Sequence, residues 1–303
     1  MDNLNQDTGF GEKPSEMGGR MVNKDGSFNI KRIGIGLGDR VSGYQSMLTM
    51  PRWRFLSIIF LFYLLINSFF TLLYWLAGPS GLAGIENENS LGRLEELFFF
   101  STQTFTTVGY GRVNPVSELT NWIAAVESLI GFLSFAIAAG LLYGRFSRPK
   151  SFIRFSDSLV YAKYREGHAL MFRMVCYKDD HLLTNAEIKV NARMVAKDQG
   201  YQFFNLDLER SHVDSLVLNW TVVHPIDEHS PFFNLSRKEM EQLQPEISAY
   251  LTGFDEVYSS VVVSRASYAL KDFKFGYKFL PMYFSRNQRT ELDLSKLNLI
   301  DQE

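Results

Sequence analysis

The sequence contains almost no cysteine. Cys176 is the single one among 303 residues, which excludes an intramolecular disulfide and a zinc site built from several cysteines. Its surroundings favour a strand, so Cys176 is typical of a small core residue in a reducing compartment. An excess of charge of one sign is also lacking, because the net charge of -2 gives no indication of nucleic-acid binding. The polar N-terminal region has no apolar stretch, and we predict no cleavable signal peptide.

The sequence also lacks a recognisable set of catalytic residues. The sequence has neither a glycine-rich phosphate loop nor a serine elbow. His224 and His229 flank Asp227 and Glu228, a set that could hold a metal ion. A structured loop at the end of a strand is the simpler interpretation. We therefore predict that the protein is not an enzyme and carries no cofactor.

Apolar residues are concentrated in two long runs. They extend from Phe55 to Leu76 and from Trp122 to Tyr143, and each is long enough to cross a bilayer. The segment from Leu94 to Phe105 is too short to cross, so we predict that it is a half-length re-entrant helix. The C-terminal end of such a helix directs partial negative charge at entering cations.

Basic residues determine the predicted orientation. Only Arg93 and Arg112 lie between the two runs, whereas lysines and arginines are frequent before the first run and after the second. The positive-inside rule therefore predicts that both termini are cytoplasmic. Arg52-Trp53-Arg54 marks the inner membrane boundary, because tryptophan prefers the headgroup level and arginine is attracted to anionic lipid.

A short amphipathic helix is predicted just before the first run. Val41, Tyr44, Met47 and Leu48 recur at helical spacing, with polar residues between them. Because this segment directly precedes a membrane span, we expect it to lie in the interface, and an ordinary solvent-side helix is the alternative.

Thr107-Val108-Gly109-Tyr110-Gly111 lies between the two runs. It is the pentapeptide already established as the filter of potassium channels, in which four copies replace the water shell of the ion with backbone carbonyls. The two glycines allow left-handed backbone, so that the carbonyls of residues 107–110 can point toward one axis. We expect Val108 and Tyr110 to face away from that axis. A plain glycine-containing turn is the alternative, but irregular backbone at membrane depth is tolerated only where it is buried or lines a cavity.

Glu127 is the one charged residue of the second run. A carboxylate within a span is expected to face protein, so we predict that Glu127 lies behind the filter and holds filter backbone or a water molecule. Exposure near the outer surface is the alternative. Gly131 and Gly140 are small enough for close helix packing or for bending, and the sequence does not decide between these roles.

The pattern changes after Pro149. Ile188 to Met194 alternates between apolar and polar residues, as in a half-buried strand. Three further stretches also indicate strands, so that we predict a β-sandwich: His168 to Tyr177, Ser215 to Val223 and Val257 to Ala269. One helix is predicted near Ser236 to Gln244, with Ser236 and Glu239 forming a capping box.

These features together resemble the inward-rectifier potassium channels, and most closely their bacterial KirBac branch. The resemblance extends from about residue 22 to residue 295. The segments that carry it are Lys24-Asp25-Gly26 with Asn29, the filter from Thr106 to Gly111, Arg145-Phe146-Ser147-Arg148-Pro149, Trp220 to Pro231, and Ser264 to Tyr268.

The resemblance implies a homotetramer in the bacterial inner membrane with three regions in each chain. Residues 1–38 form a cytoplasmic, partly disordered segment. Residues 39–150 form the interfacial helix and a pore domain of two transmembrane helices, a re-entrant pore helix and the filter. Residues 151–303 form a cytoplasmic immunoglobulin-like β-sandwich.

The resemblance also implies roles for individual residues. Phe135 stands at the pore-lining site that is acidic in strongly rectifying animal members, so that polyamines or Mg²⁺ are expected to be weak blockers. Tyr143 matches the inner-helix crossing, where a hydrophobic ring can dewet and close the pore. Glu187 matches an acidic site of the cytoplasmic pore, Thr252 replaces another, and Glu256 begins its narrow loop.

The filter supports and the lipid contacts follow in the same way. Gln103 replaces a glutamate that supports the filter in many animal members, and Val113 replaces its arginine partner. Glu127 is expected to take over this support, and Thr106 is a further residue expected to support the filter. The expected lipid partners are anionic phospholipids or phosphoinositides. The residues that match their contacts are Arg52, Trp53, Arg54, Arg145, Arg148 and Lys150.

Two other functions remain as alternatives. A potassium channel gated by a soluble nucleotide-binding domain would require a glycine-rich phosphate loop, which the sequence lacks. A non-conducting, membrane-anchored β-sandwich that binds a partner would have no need for the filter glycines.

Overall fold

The chain forms two compact units in the computed structural model, which describes residues 20, 22–24, 26–31, 33, 34, 36, 42–195, 201–286 and 288–303. The first, called the membrane unit here, lies within residues 33–148. The second, called the cytoplasmic unit, contains residues 149–303 and the described residues before residue 32.

The membrane unit consists of four helices. They are α1 (Gly43–Thr49), α2 (Arg52–Ala77), α3 (Ser90–Phe105) and α4 (Glu118–Phe146). Both α2 and α4 are long and apolar enough to cross a membrane, and most of their side chains are exposed in a single chain. The two predicted spans and the half-length helix between them are confirmed, although each helix is longer than its apolar run. A two-stranded antiparallel pair, β1 (Leu82–Ala83) and β2 (Asn114–Pro115), joins the two ends of the connecting region.

Local sequence explains where these helices begin. The Ser42 side chain accepts a hydrogen bond from the Gln45 N–H at the start of α1. A capping box between Ser117 and Thr120 begins α4. At the other end of the first span, α2 stops at Gly78, whose φ of 89° is left-handed. Val41, part of the predicted amphipathic pattern, lies outside the described residues.

The cytoplasmic unit is a β-sandwich of two five-stranded sheets, as expected. In the first sheet β6 pairs with β10 on one side and with β7 and β8 on the other, and β11 is on the far side of β10. In the second sheet β5 pairs with β9 on one side and with β3 and β4 on the other, and β12 runs parallel to β4. The strands are β3 (Ile153–Phe155), β4 (Leu159–Tyr164), β5 (Gly167–Cys176), β6 (Leu183–Val195), β7 (Tyr201–Asn205), β8 (His212–Ser215), β9 (Trp220–Ile226), β10 (Glu246–Asp255), β11 (Ser260–Ala269) and β12 (Phe273–Phe275).

Small additional elements complete this unit. They are the helix α5 (Arg237–Leu243) and two antiparallel pairs, β13 (Tyr277–Phe279) with β16 (Ile300–Gln302) and β14 (Tyr283–Arg286) with β15 (Arg289–Leu292). Side chains from the inner faces of both large sheets form one core, in which Phe172, Ile188 and Leu251 are buried. Burial of this apolar surface is the main force that holds the sheets together.

Two of the predicted strands had wrong boundaries. The stretch from Ser215 to Val223 is not one strand, because β8 pairs with β6 in one sheet and β9 pairs with β5 in the other. Residues 216–219 cross between the sheets, and the Leu216 side chain is buried in the core. Residues 257–259, predicted as the beginning of a strand, form the turn between β10 and β11 instead.

The predicted capping box and the predicted structured loop are confirmed. The Ser236 hydroxyl accepts the Glu239 N–H, and the Glu239 side chain accepts the Ser236 N–H. The buried His224 ring contacts the Asp207 carbonyl through Nδ1 at 2.6 Å and the Ser230 hydroxyl through Nε2 at 2.8 Å. No cluster of potential metal ligands is found among the described residues. Both ring nitrogens of His224 therefore form contacts that stabilise the loop.

Candidate functional site

The filter loop follows directly from the C-terminal end of α3. The φ angles of Thr107, Gly109 and Gly111 are 59°, 58° and 85°, so that every second residue is left-handed. The sequence predicted this for the two glycines but not for Thr107, a β-branched residue for which a positive φ is a genuine outlier. Alternation of this kind turns successive carbonyls toward the same side of the chain.

The backbone hydrogen bonds of the loop leave its carbonyls available. The N–H groups of Val108 and Gly109 both donate to the Gln103 carbonyl, at 2.9 and 3.3 Å. Within the part of the chain that the structure describes, no backbone N–H donates to the carbonyls of residues 107–110. Gln103 therefore contacts the loop through its backbone, and Thr106 continues the helix by donating its hydroxyl to the Thr102 carbonyl at 2.6 Å.

The side chains of the filter are largely uncovered in one chain. Val108 is 52% exposed and Tyr110 is 80% exposed. We expected both to pack against their surroundings, and the chain itself supplies little of that packing.

Glu127 lies at the centre of a buried polar network. It is fully buried, which excludes the alternative of exposure near the outer surface. One carboxyl oxygen accepts the Ser101 hydroxyl at 2.5 Å, and the other accepts the Tyr74 hydroxyl at 2.6 Å. Tyr74 is on α2 and Ser101 is on α3, so that the α4 carboxyl group connects both neighbouring helices. Its contacts are with these side chains and not with filter backbone.

The network continues to Asn67 on α2. The Ser101 hydroxyl lies 3.1 Å from the Asn67 side-chain oxygen, and the Asn67 amide donates to the Tyr63 carbonyl at 2.7 Å. Asn67 and Ser101 are both fully buried. Sequence reasoning missed Tyr74, Ser101 and Asn67. The signal that could have found Asn67 is the presence of an isolated amide in an otherwise apolar span.

Gly131 permits the close approach of α4 and α3. A Cβ atom on Gly131 would lie 1.9 Å from the Phe105 carbonyl oxygen, at the end of α3 just before the filter. Gly140 has open space around it. Of the two roles left open by the sequence, close packing therefore applies to Gly131.

An ion-pair cluster lies on the connection outside the filter. The buried Glu96 carboxylate accepts the Arg112 guanidinium at 2.9 Å and the N–H groups of Glu86 and Asn87 at 3.1 and 3.3 Å. Arg112 also approaches the Glu86 carboxylate at 3.5 Å. Because Arg112 directly follows the filter, this cluster fixes the outer end of the loop to α3. Gln103 and Val113, which stand at the positions of the glutamate and arginine that support the filter in many animal members, do not form such a pair here.

An apolar recess lies below the filter in the membrane unit. Its volume is about 690 Å³. The residues that line it include Thr107, Phe62 on α2, and Phe132 and Phe135 on α4. Phe135 is 74% exposed. Tyr143, two turns further along α4, is also exposed.

Among the described residues, Arg145 is the predicted lipid contact that forms hydrogen bonds to another helix of the protein. Its guanidinium donates to the carbonyls of Met47 and Met50 at 2.5 and 2.8 Å, and lies 4.6 Å from the ring centre of Phe55. Arg145 thus caps the C-terminal end of α1 and ties it to α4. The other predicted contacts are exposed: Arg52, Trp53, Arg54, Arg148 and Lys150.

Two predicted pore residues belong to the cytoplasmic unit. Glu187 on β6 is exposed and lies in register with Thr252 on β10. Glu256 is exposed in the turn that follows β10.

Comparison with known proteins establishes the family. Residues 153–302 match the model of the inward rectifier potassium channel C-terminal domain, and residues 56–148 match a general ion channel model. The chain is 32% identical over 297 residues to the inward rectifier potassium channel Kirbac3.1 of Paramagnetospirillum magnetotacticum, covering 96% of this chain and 99% of that protein. The chain belongs to the inward-rectifier potassium channel family.

The similarity extends to animal inward rectifiers. ATP-sensitive inward rectifier potassium channel 14 of Rattus norvegicus and that of Mus musculus are each 26% identical over 302 residues, covering 91% of this chain and 68% of each relative. As an inward-rectifier family member this chain is a membrane protein. Its filter lies within the ion channel match, and its β-sandwich lies within the C-terminal domain match.

Proposed function

We propose that four copies of this chain form a passive potassium channel in which each filter loop faces a common axis. The observation that carries the proposal is the backbone of residues 107–110, where left-handed angles alternate and four carbonyls have no backbone donor among the described residues. Such oxygens replace the water shell of a potassium ion, and repulsion between neighbouring ions moves them onward. The protein catalyses no reaction and needs no cofactor, because potassium is only the permeant ligand.

The surface that one chain leaves uncovered supports the proposed tetramer. Tyr110 and Phe135 are mostly exposed, and the recess of about 690 Å³ below the filter is apolar. Filter backbone with free carbonyls is tolerated at membrane depth only where it lines a cavity or is buried in protein. Neighbouring copies provide both the protein cover and the cavity. They cover the side of the loop that faces away from the axis, and together they enclose the axis on its other side.

We assign the gate to the cytoplasmic side of the filter. Tyr143 on α4 forms a hydrophobic ring in the tetramer that closes the pore by dewetting. The turn at Glu256 to Ser260 forms a second narrow point. Because Arg145 holds α1 to the same end of α4, movement of the interfacial helix is transmitted to Tyr143.

Rectification is weak in this proposal. Phe135 carries no negative charge with which to hold a cation, and Thr252 places a hydroxyl beside Glu187 rather than a second carboxylate. Fewer negative charges in the pathway hold polyamines and Mg²⁺ less tightly.

We propose that anionic phospholipids or phosphoinositides regulate the channel from the cytoplasmic leaflet of a bacterial inner membrane. Both termini are cytoplasmic, and the exposed Arg52, Arg54, Arg148 and Lys150 supply cationic contacts. Trp53 adds an anchor at the headgroup level, with the Arg54 guanidinium 5.1 Å from its ring centre. Arg145 contributes to this site mainly by holding α1 in place.

Potassium flux into liposomes that contain only this protein tests the proposal. Gly109→Ala and Gly111→Ala should each abolish selective potassium flux, because alanine is strained at the positive φ of these positions. Gly167→Ala is the control, since its added Cβ would meet only the Ile226 carbonyl oxygen, at 3.8 Å. Normal potassium over sodium selectivity in both filter variants would refute the carbonyl filter. Absence of flux from the unaltered protein would favour a membrane-anchored binding protein.

A further inference from the structure

A small cavity lies in the membrane unit between the end of α2 and the start of α3. Its volume is about 240 Å³. The described residues that line it come from the end of α2, the connection after it and the first half of α3: Tyr74, Trp75, Gly78, Ile85, Arg93 and Leu97. Arg93 is the charged one among them. The cavity is therefore mainly apolar, with one guanidinium group in its wall.

The Arg93 guanidinium has no carboxylate partner in the described part of the chain. Its Nε atom is buried and forms no hydrogen bond there. Arg112, the other basic residue between the spans, behaves differently, because it pairs with Glu96 at 2.9 Å and with Glu86 at 3.5 Å. A buried donor without a partner destabilises the fold. A ligand that accepts a hydrogen bond from Arg93 would remove this cost.

The first turn of α3 is also electrostatically suited to an anion. The N-cap residue Asn89 forms no side-chain hydrogen bond to this 16-residue helix, and its first turn contains no acidic residue. The partial positive charge at the helix N-terminus is therefore not offset by a nearby carboxylate of that turn. Arg93, the fourth residue of α3, adds a full positive charge, although cations are ordinarily favoured at the other end of a helix. One negative group in the cavity would stabilise both charges.

Two tryptophans indicate that the cavity lies at the membrane surface. Trp75, in its wall, is 39% exposed near the end of α2, and Trp122 is 67% exposed near the start of α4. Tryptophan prefers the level of the lipid headgroups. The neighbouring Leu76 is 72% exposed, so that apolar surface adjoins the cavity. A phospholipid can cover this surface with an acyl chain while its phosphate reaches Arg93, whereas a free phosphate ion cannot.

We propose that Arg93 binds the phosphate group of an anionic phospholipid in the outer leaflet. Guanidinium groups form paired, charge-assisted hydrogen bonds with phosphate. Because no carboxylate is found among the described residues that line the cavity, the ammonium group of a zwitterionic headgroup has no counter-charge there. A headgroup without an ammonium group, such as phosphatidylglycerol, is therefore preferred. This inference rests on the proposed function for its orientation, which places the connection between the spans outside the cytoplasm.

Tryptophan quenching by brominated lipids tests the proposal at the site itself. The protein is reconstituted in phosphatidylcholine liposomes that contain a fixed fraction of either brominated phosphatidylglycerol or brominated phosphatidylcholine. Trp75 is one of four tryptophans, so its signal is the difference between each protein and its Trp75→Phe counterpart. In the unaltered protein, quenching of Trp75 should show about a fivefold preference for phosphatidylglycerol, as expected for one basic residue at an anionic lipid surface.

Three variants identify the group responsible. Arg93→Gln should lose the preference, and Arg93→Lys, which keeps the positive charge, should retain most of it. Arg289→Gln is the matched control, because Arg289 is an exposed arginine of the cytoplasmic unit, and it should behave as the unaltered protein. The oligomeric state of each variant is measured by size-exclusion chromatography with light scattering.

Four results would overturn the proposal. They are equal quenching by the two lipids in the unaltered protein, a preference that persists in Arg93→Gln, and loss of the preference when inorganic phosphate replaces chloride at equal ionic strength, which would identify a site for free phosphate. The fourth is dissociation of the Arg93→Gln oligomer, which would show that Arg93 pairs with a neighbouring copy. Quenching does not require ion flux, so absence of potassium flux would refute the proposed function and leave this test intact.

Discussion

Replacing Tyr74 by phenylalanine should loosen the contact between the first span and α4, whose Glu127 also holds Ser101 on α3. The substitution keeps the ring, which packs edge-on against Phe100 with centres 5.0 Å apart, and removes only the hydroxyl. That hydroxyl is the donor to one oxygen of Glu127, which is fully buried. The oxygen then loses its partner in a place that bulk water does not reach.

The magnitude follows from the cost of an unsatisfied buried acceptor. Leaving one such group without a partner costs about 1–3 kcal/mol. A middle value of about 2 kcal/mol changes the equilibrium constant between the locked and the loosened arrangement of the helices by roughly thirtyfold in each subunit. Because α3 leads directly into the filter, the loosened form should admit sodium more readily.

The assay compares two tyrosine variants on the same helix. Tyr63→Phe is the control, since the Tyr63 ring packs against Phe105 and no hydrogen bond of its hydroxyl is found in the described part of the chain. Sodium and potassium flux in liposomes gives the selectivity, and thermal inactivation of the purified protein gives the stability. The reasoning is wrong if Tyr74→Phe matches Tyr63→Phe in both measurements.

Three further predictions concern other parts of the chain. Gly131→Ala should destabilise the protein by about 3 kcal/mol or more, judged by thermal inactivation, because its Cβ would collide with backbone 1.9 Å away, whereas Gly140→Ala should be tolerated. Tyr143→Ala should raise basal potassium flux if that ring is the limiting constriction, and unchanged flux would locate the gate elsewhere. The pKa of His224 is lowered by burial, so that the stability of the folded domain should fall as the pH drops below about 6.5, toward the lowered pKa. Chemical unfolding at several pH values should show this loss of stability, and the loss should be smaller in the His224→Gln variant.

The membrane unit was the most predictable part of the fold. Two uninterrupted apolar runs can be satisfied only by helices in lipid, because every backbone polar group must bond within its own segment. The positive φ angles of the two filter glycines were also predictable, because such angles are costly for residues that carry a Cβ atom. The positive φ of Thr107, 59°, could not be predicted, because β-branched residues rarely adopt such a conformation.

Strand boundaries and polar contacts were less predictable. Apolar residues are frequent throughout residues 215–223, yet the chain changes sheets within that stretch. The pattern records only which side chains are buried, and both sheets bury their side chains in the same core. Arg145 shows the same limit, because a basic residue at a membrane boundary is suited to lipid and equally to the free carbonyls at the end of a helix.

The amino-acid sequence alone determined that this chain has two membrane-crossing helices, a loop with the pattern of a potassium filter and a β-rich domain after them. Each of these conclusions depends on local properties: the length of an apolar run, the conformational freedom of glycine, or the period of alternation. Only the tertiary structure decided that Glu127 connects Tyr74 to Ser101 and that Asp255 connects His181 to the β10–β11 turn. Such pairs are far apart in the sequence, and their partners are chosen by the packing of whole elements, which no local pattern records.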